Sequence, residues 1–149
     1  MLKIWGRNTS SNVQKAMWAV GELGLPHQRI DIGGPFGKNK EPAYLAMNPN
    51  GLVPVIDEDG FVLYESNAIT RYLAARHGQG TLWPDDLRAR ADVDRWMEWQ
   101  STGYTPAMLQ AFWQLAAIGA LLLVAIAFDR LVALRVEAAL RRRSARRAG

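Results

Sequence analysis

Apolar and polar positions recur with two different periods along the first half of the chain, and the switches between them mark its elements. Leu2-Lys3-Ile4-Trp5 is a short run with strand character, and Gly6 to Ser11 is a polar turn. From Asn12 to Leu23, the residues Val13, Ala16, Met17, Val20 and Leu23 recur at helical spacing. Gly24 and Pro26 then supply the stop signals of a helix end. His27 to Ile32 reads as a second strand and Glu41 to Met47 as a short helix. Val53-Pro54-Val55-Ile56 is a third strand, with its Pro at the strand start or on an edge, because Pro donates nothing to a ladder. Asp57 to Gly60 is a hairpin turn, its Asp-Gly placed where positive φ is wanted. Phe61 to Tyr64 returns as the partner strand, and Glu65-Ser66 stops it and caps a helix beginning near Asn67.

The order strand, helix, strand, helix, strand, strand, helix predicts an α/β, thioredoxin-like domain over residues 1–78, with a mixed four-stranded sheet. Residues 79–86, with Trp83-Pro84, read as a linker, and Leu87 to Gln100 as the first helix of an all-α segment over 87–115. Residues 116–149 differ in kind. Trp99 to Phe128 contains no charged side chain, and residues 108–128 are dense in Ala, Leu, Ile and Val. Twenty-one helical residues span about 31 Å, close to the hydrocarbon thickness of a bilayer.

The stretch from Asn48 to Tyr72, NPNGLVPVIDEDGFVLYESNAITRY, resembles the glutathione-binding half of the glutathione S-transferase family. The resemblance implies that Val53 pairs its main chain with the cysteinyl part of glutathione, that Pro54 is cis, and that Glu65 and Ser66 hold the γ-glutamyl end. A helix N-terminus with free N–H groups suits the carboxylate there, and Glu65 suits the α-amino group. Ser11, Leu52 and Asn67 complete the implied glutathione site. The family's serine-type classes read Ser-Ser-Pro-Cys-Arg before the first helix, and Ser10-Ser11-Asn12-Val13-Gln14 falls in register. Ser10 is thereby implied as the donor that stabilises the glutathione thiolate. Asn12 is the second catalytic candidate, because bacterial Nu-type relatives place a Thr and an Asn at these two positions. The same hydroxyls also suit a helix N-cap, and the two roles are compatible.

Two positions depart from the family pattern. Many relatives carry Lys, Arg or Gln before the Val-Pro, within reach of the glycyl carboxylate, where this chain has Leu52. Many also read Glu-Ser-Arg where this chain has Glu65-Ser66-Asn67. Lys38 and Lys40 in the preceding loop have two readings, solvated loop charges or replacements for the missing cation, and the first is the ordinary one.

Composition narrows the chemistry. The chain has no cysteine, which removes disulfides, thiolate metal sites and cysteine-type transferase or glutaredoxin mechanisms. With His27 and His77 its only histidines, far apart in the chain, no metal is expected. The net charge of +4 belongs to one end: residues 129–149 hold seven Arg against Asp129 and Glu137. A nucleic-acid partner is therefore not expected. The first residues lack the basic start and apolar core of a signal peptide.

The resemblance fades after about Leu115, so the helical part is expected to be shortened and divergent. Three readings of 108–128 stand together: a membrane span followed by a basic tail, a soluble helix covering this domain or a dimer partner, and an unstructured tail. The functional expectation is a transferase that uses glutathione as co-substrate and activates its thiol for transfer to a small electrophile or for reduction. The alternatives are a non-catalytic glutathione-binding module and a membrane-attached relic without an electrophile pocket. A homodimer, cytoplasmic or membrane-associated, completes the expectation.

Overall fold

The computed structural model describes residues 1–148, and beyond Phe128 it describes side chains only at Arg130 and Arg135. The chain forms two compact units, Met1–Met97 and Glu98–Gly149. The first unit contains β1 (Leu2–Trp5), α1 (Ser11–Glu22), β2 (His27–Ile30), a 3₁₀ turn (Gly34–Phe36), α2 (Pro42–Leu45), β3 (Val55–Glu58), β4 (Phe61–Tyr64) and α3 (Ser66–His77). This is the expected βαβαββα order of a thioredoxin-like domain. α4 (Leu87–Trp99) follows, then a π turn (Gln100–Tyr104) and the 44-residue α5 (Thr105–Ala148).

The four strands lie in the order β2-β1-β3-β4, with β1 parallel to β2 and both other pairings antiparallel. Alternation along the strands sends side chains to two cores. Leu2, Ile4 and Ile56 face one side, where Ala16 and Val20 of α1 meet Ile69 and Leu73 of α3. Trp5, Val55 and Tyr64 belong to the other core, with Ile32 and Tyr44. Ile4, Ile56, Ile69 and Leu73 are fully buried, so truncating any of them costs the lost transfer energy and leaves a cavity.

β3 begins two residues later and ends two residues later than the sequence pattern suggests. Val53 and Pro54 stand outside the ladder, whereas Asp57 and Glu58 pair with Val62 and Phe61 inside it. The hairpin turn is therefore only Asp59-Gly60, both at positive φ (53° and 91°), the two-residue turn that matches strand twist. Asp57 Oδ1 accepts the Gly60 N–H of the turn at 2.7 Å, and Glu58 is held by side chains of α3. The half-buried Glu58 carboxylate accepts from Tyr72 Oη at 2.6 Å, His77 Nε2 at 2.8 Å and Arg76 Nε at 3.1 Å.

In the second unit, every residue from Pro106 to Phe128 is exposed, including Leu121, Leu122, Leu123 and Ile126. The helical run Leu87–Phe128 contains a stretch long and apolar enough to cross a membrane by length and composition. Leu131, Val132, Leu134, Val136 and Leu140, which are interleaved with Arg in the sequence as in an amphipathic helix, have side chains outside the described residues.

Burial alone would push the Glu58 carboxyl up. Hydrogen bonds from Tyr72 and His77, with the charges of His77 and Arg76, outweigh it and hold the carboxyl below its ordinary 4.5. A depressed folded-state value contributes stability above the unfolded pKa and loses it as pH falls through the folded one. Glu58→Gln is expected to destabilise the protein at pH 7 by about 1–3 kcal/mol, with the gap closing below about pH 4. Urea unfolding of both proteins at the two pH values checks this, and an equal gap at both would contradict it.

Candidate functional site

Four chain segments meet at one end of the sheet. In register, Ile30, Trp5, Val55 and Tyr64 form a single row across β2, β1, β3 and β4. Gly33-Gly34 lie just beyond β2, Gly6 to Ser10 follow β1, Leu52 to Pro54 precede β3, and Glu65-Ser66 follow β4. Three strand spacings of about 4.8 Å make this row roughly 14 Å long. An extended tripeptide, at most about 3.6 Å per residue, fits along it.

A cleft of about 240 Å³ opens here. Seven of the residues expected at the site line it: Ser10, Asn12, Leu52, Val53, Pro54, Glu65 and Ser66. Ser11 is exposed on α1 and Asn67 is half-buried on α3, and neither belongs to the lining. The Asn67 amide is engaged elsewhere: it accepts from Lys15 Nζ at 3.0 Å and donates to the Met97 carbonyl at 2.9 Å. Burial lowers the Lys15 ammonium pKa, and the nearby Glu65 carboxylate pulls it partly back up. Arg7 and Asn48 also line the cleft and were not singled out from sequence.

Two helix N-termini point into this cleft. Ser10 is the N-cap residue of α1 in extended conformation, yet its hydroxyl makes no capping hydrogen bond. Glu65 is the N-cap residue of α3 at φ 75°, ψ 112°, and again no side chain caps the helix. The sequence expectation that Glu65-Ser66 caps this helix is thereby corrected. Ser66 is the first residue inside α3, buried, and its Oγ sits 3.4 Å from Asn12 Oδ1. Neither helix has an acidic residue in its first turn. Each end therefore presents free N–H groups and a partial positive charge, a setting for two anionic groups.

The Val53–Pro54 bond is cis, as the resemblance implies. Among the described residues, the Val53 main chain has no hydrogen-bond partner, so its N–H and C=O remain for a ligand. The preceding carbonyl is held from two sides. Leu52 O accepts from Tyr44 Oη at 2.7 Å and from Asn48 Nδ2 at 2.9 Å, and Asn48 Oδ1 accepts the Asn50 N–H at 3.0 Å. Both donors are 2% exposed, and burial pushes the Tyr44 hydroxyl up to about 12, so it stays protonated and donating. The arrangement suits an extended, peptide-like ligand: main-chain pairing at Val53, a carboxylate at the start of α3, an ammonium at Glu65 and a second anion beside Ser10.

Asn48→Ala removes one donor to Leu52 and the acceptor for Asn50 in a buried setting. It is expected to lower stability by about 1–3 kcal/mol, with Tyr44→Phe costing about 1 kcal/mol. The two substitutions act on one carbonyl and are expected to be non-additive by at least about 0.5 kcal/mol in a double-mutant cycle read by urea unfolding. Strict additivity would contradict a shared role at Leu52.

The comparisons with known proteins agree with this geometry. The family model for the glutathione S-transferase N-terminal domain matches residues 9–76. Glutathione S-transferase GstB of Escherichia coli (strain K12) is 50% identical over 101 residues, covering 66% of this chain and 49% of that protein. The probable glutathione S-transferase GSTF2 of Oryza sativa subsp. japonica is 34% identical over 107 residues, covering 72% and 50%. Among solved structures, the theta class glutathione S-transferase of Xanthomonas axonopodis pv. citri, with glutathione bound, matches with a TM-score of 0.71 at 46% identity. It is covered over 54% of its length by 75% of this chain. The chain thus spans about half the length of the curated relatives it matches. By its fold, its cleft and these matches, the chain belongs to the glutathione S-transferase family through its N-terminal domain.

Proposed function

We propose that the cleft binds glutathione and that Ser10 activates its thiol for transfer to a small electrophile. The observation that carries this reading is the uncapped Ser10 hydroxyl at the N-terminus of α1, beside the unpaired Val53 main chain. The γ-glutamyl carboxylate lies at the start of α3, its α-amino group meets Glu65, and the cysteinyl peptide pairs with Val53 as an added strand. Solved relatives support the ligand: the Xanthomonas enzyme and Ure2p were both determined with glutathione.

The chemistry asked of the protein is modest. A free thiol has a pKa near 8.5, and lowering it by about two units takes about 2.7 kcal/mol. A hydrogen bond to an anion contributes about 1.5–3 kcal/mol, and a helix end adds about 0.3–1. Ser10 Oγ donating to the sulfur, with the start of α1 behind it, is enough. The thiol proton goes to solvent, the sulfur forms a bond to the electrophilic carbon, and the leaving group departs with its electron pair. Asn12, whose side chain lines the same cleft, is the second donor to the sulfur.

The apolar helix carries a second proposal, attachment to a bilayer through 108–128. Its apolar side chains are exposed on all faces, its length matches the hydrocarbon core, and Arg130 and Arg135 follow it. A homodimer burying the same side chains is the competing arrangement.

Ser10→Ala is expected to lower turnover with an aryl halide about 10- to 100-fold while leaving glutathione affinity within about twofold. The pKa of bound thiol, read from ultraviolet thiolate absorbance, rises in the variant. Equal losses in affinity and turnover would contradict the role. For the apolar helix, the full chain is expected to float with phosphatidylcholine–phosphatidylglycerol vesicles and to resist carbonate extraction. A monodisperse dimer in detergent-free buffer that ignores vesicles would overturn membrane attachment and support the dimer.

A further inference from the structure

The apolar helix is entered through a turn of a different kind. Leu87 to Glu98 holds six charged side chains, Arg88, Arg90, Asp92, Asp94, Arg95 and Glu98, whereas Trp99 to Phe128 holds none. At that switch the backbone widens from α to π over Gln100–Tyr104, and the Thr105 N–H bonds to the carbonyl five residues back, at Gln100. Pro106 follows, with no N–H to continue the α pattern. Such π turns are rare and recur at functional places in helices.

The polar side chains of this turn are spent on the turn itself. Ser101 Oγ and Thr102 Oγ1 both donate to the Glu98 carbonyl, at 3.0 and 2.8 Å. Thr105 Oγ1 donates to the Gln100 carbonyl at 2.8 Å and accepts from Gln100 Nε2 at 2.7 Å. A π turn shifts carbonyls out of α register, and here hydroxyls supply donors without water, as a chain entering hydrocarbon requires.

Two aromatic rings frame the turn. Trp99 and Tyr104 lie with ring centroids 5.7 Å apart, and both are about half exposed, at 52% and 47%. Gly103 makes room for them: a Cβ there would stand 3.2 Å from Trp99 Cδ1 and 3.3 Å from its Nε1. Each ring is an apolar body with one polar tip, the indole N–H or the phenol hydroxyl. Such side chains concentrate where hydrocarbon meets water.

Spacing supplies the opposite boundary. Arg130 follows Tyr104 by 26 residues, about 39 Å of helix. That exceeds the ~30 Å hydrocarbon core and falls just inside the ~40–45 Å that includes both headgroup regions. Aromatic rings at one end and a guanidinium at the other therefore reach the two surfaces together, with Ala117 midway.

We propose that the Gln100–Tyr104 turn is the interfacial anchor of the apolar helix. Trp99 and Tyr104 sit among the phospholipid headgroups of one leaflet and fix how deep the following residues lie. The proposal rests on the bilayer reading of 108–128.

The absence of cysteine lets single positions carry a nitroxide label. Full chains with Ala107→Cys or Ile118→Cys are labelled, bound to phosphatidylcholine–phosphatidylglycerol vesicles and read for depth by electron paramagnetic resonance. The label at 118 is expected within about 3 Å of the bilayer centre and the label at 107 about 15 Å from it. Adding Trp99→Ala with Tyr104→Ala is expected to shift the label at 107 by about one helical turn, ~5 Å. Trp99→Phe with Tyr104→Phe, which keeps the rings and removes their polar tips, is expected to sink it. Circular dichroism of each variant keeps loss of helix separate from loss of anchoring. Two labels at one shallow depth, or a label at 107 unmoved by both double substitutions, would overturn the anchor while bilayer attachment stands. A chain that ignores the vesicles overturns both.

Discussion

The row of Ile30, Trp5, Val55 and Tyr64 across the end of the sheet is the constraint on which the site depends. Strand pairing fixes where each of the four adjoining segments begins, and side-chain alternation fixes which way each strand faces. A slip of one residue in β3 would move Ile56 out of the main core and turn Val53 away from the cleft. The cost of that slip is the burial of Ile4, Ile56, Ile69 and Leu73, so the same packing that stabilises the unit also fixes the geometry of the cleft. The carbonyl of Leu52, held by Tyr44 and Asn48, carries that precision from the second core to the residue that faces the ligand.

Electrostatics then decides what the cleft favours. α1 and α3 both begin there, and both leave their first turns without acidic residues or side-chain caps. An uncapped helix start gives up about 1 kcal/mol of stability. Here the unsatisfied N–H groups face a space of suitable size for an anionic ligand, so the local deficit becomes binding potential. Glu65, held at positive φ where a non-glycine residue is uncommon, places its carboxylate at the same mouth. Strain and missing caps at one place, with a well-packed sheet behind them, distinguish a binding site from an imperfect surface.

Much of this was legible in the chain, and the misses have physical causes. Strands β1 and β4 match their hydrophobic runs residue for residue, because each run is short, apolar and bounded by unambiguous turn residues. β3 was misplaced by two residues because Val53 and Pro54 are apolar without being laddered, while Asp57 and Glu58 are polar within the ladder. The partners that make Glu58 acceptable, Tyr72, Arg76 and His77, lie a full helix away and cannot be seen in a local pattern. The motif residues of the cleft were found through family resemblance, whereas Asn48 was noted only as the first residue of the resembling stretch. Arg7 went unnoticed because its setting depends on Gly33-Gly34, which the fold brings beside it from the far end of β2. The apolar character of residues 108–128 follows directly from the sequence, whereas the helix that contains them, Thr105–Ala148, is longer than that run.

Glutathione binding at the sheet end is the central claim, and calorimetric titration of the purified full chain with glutathione tests it most directly. The expected result is saturable binding at about one site per chain, abolished when Glu65 and Ser66 are both replaced by Ala. No saturable heat up to about 1 mM ligand, where the binding free energy is only about −4 kcal/mol, would contradict it.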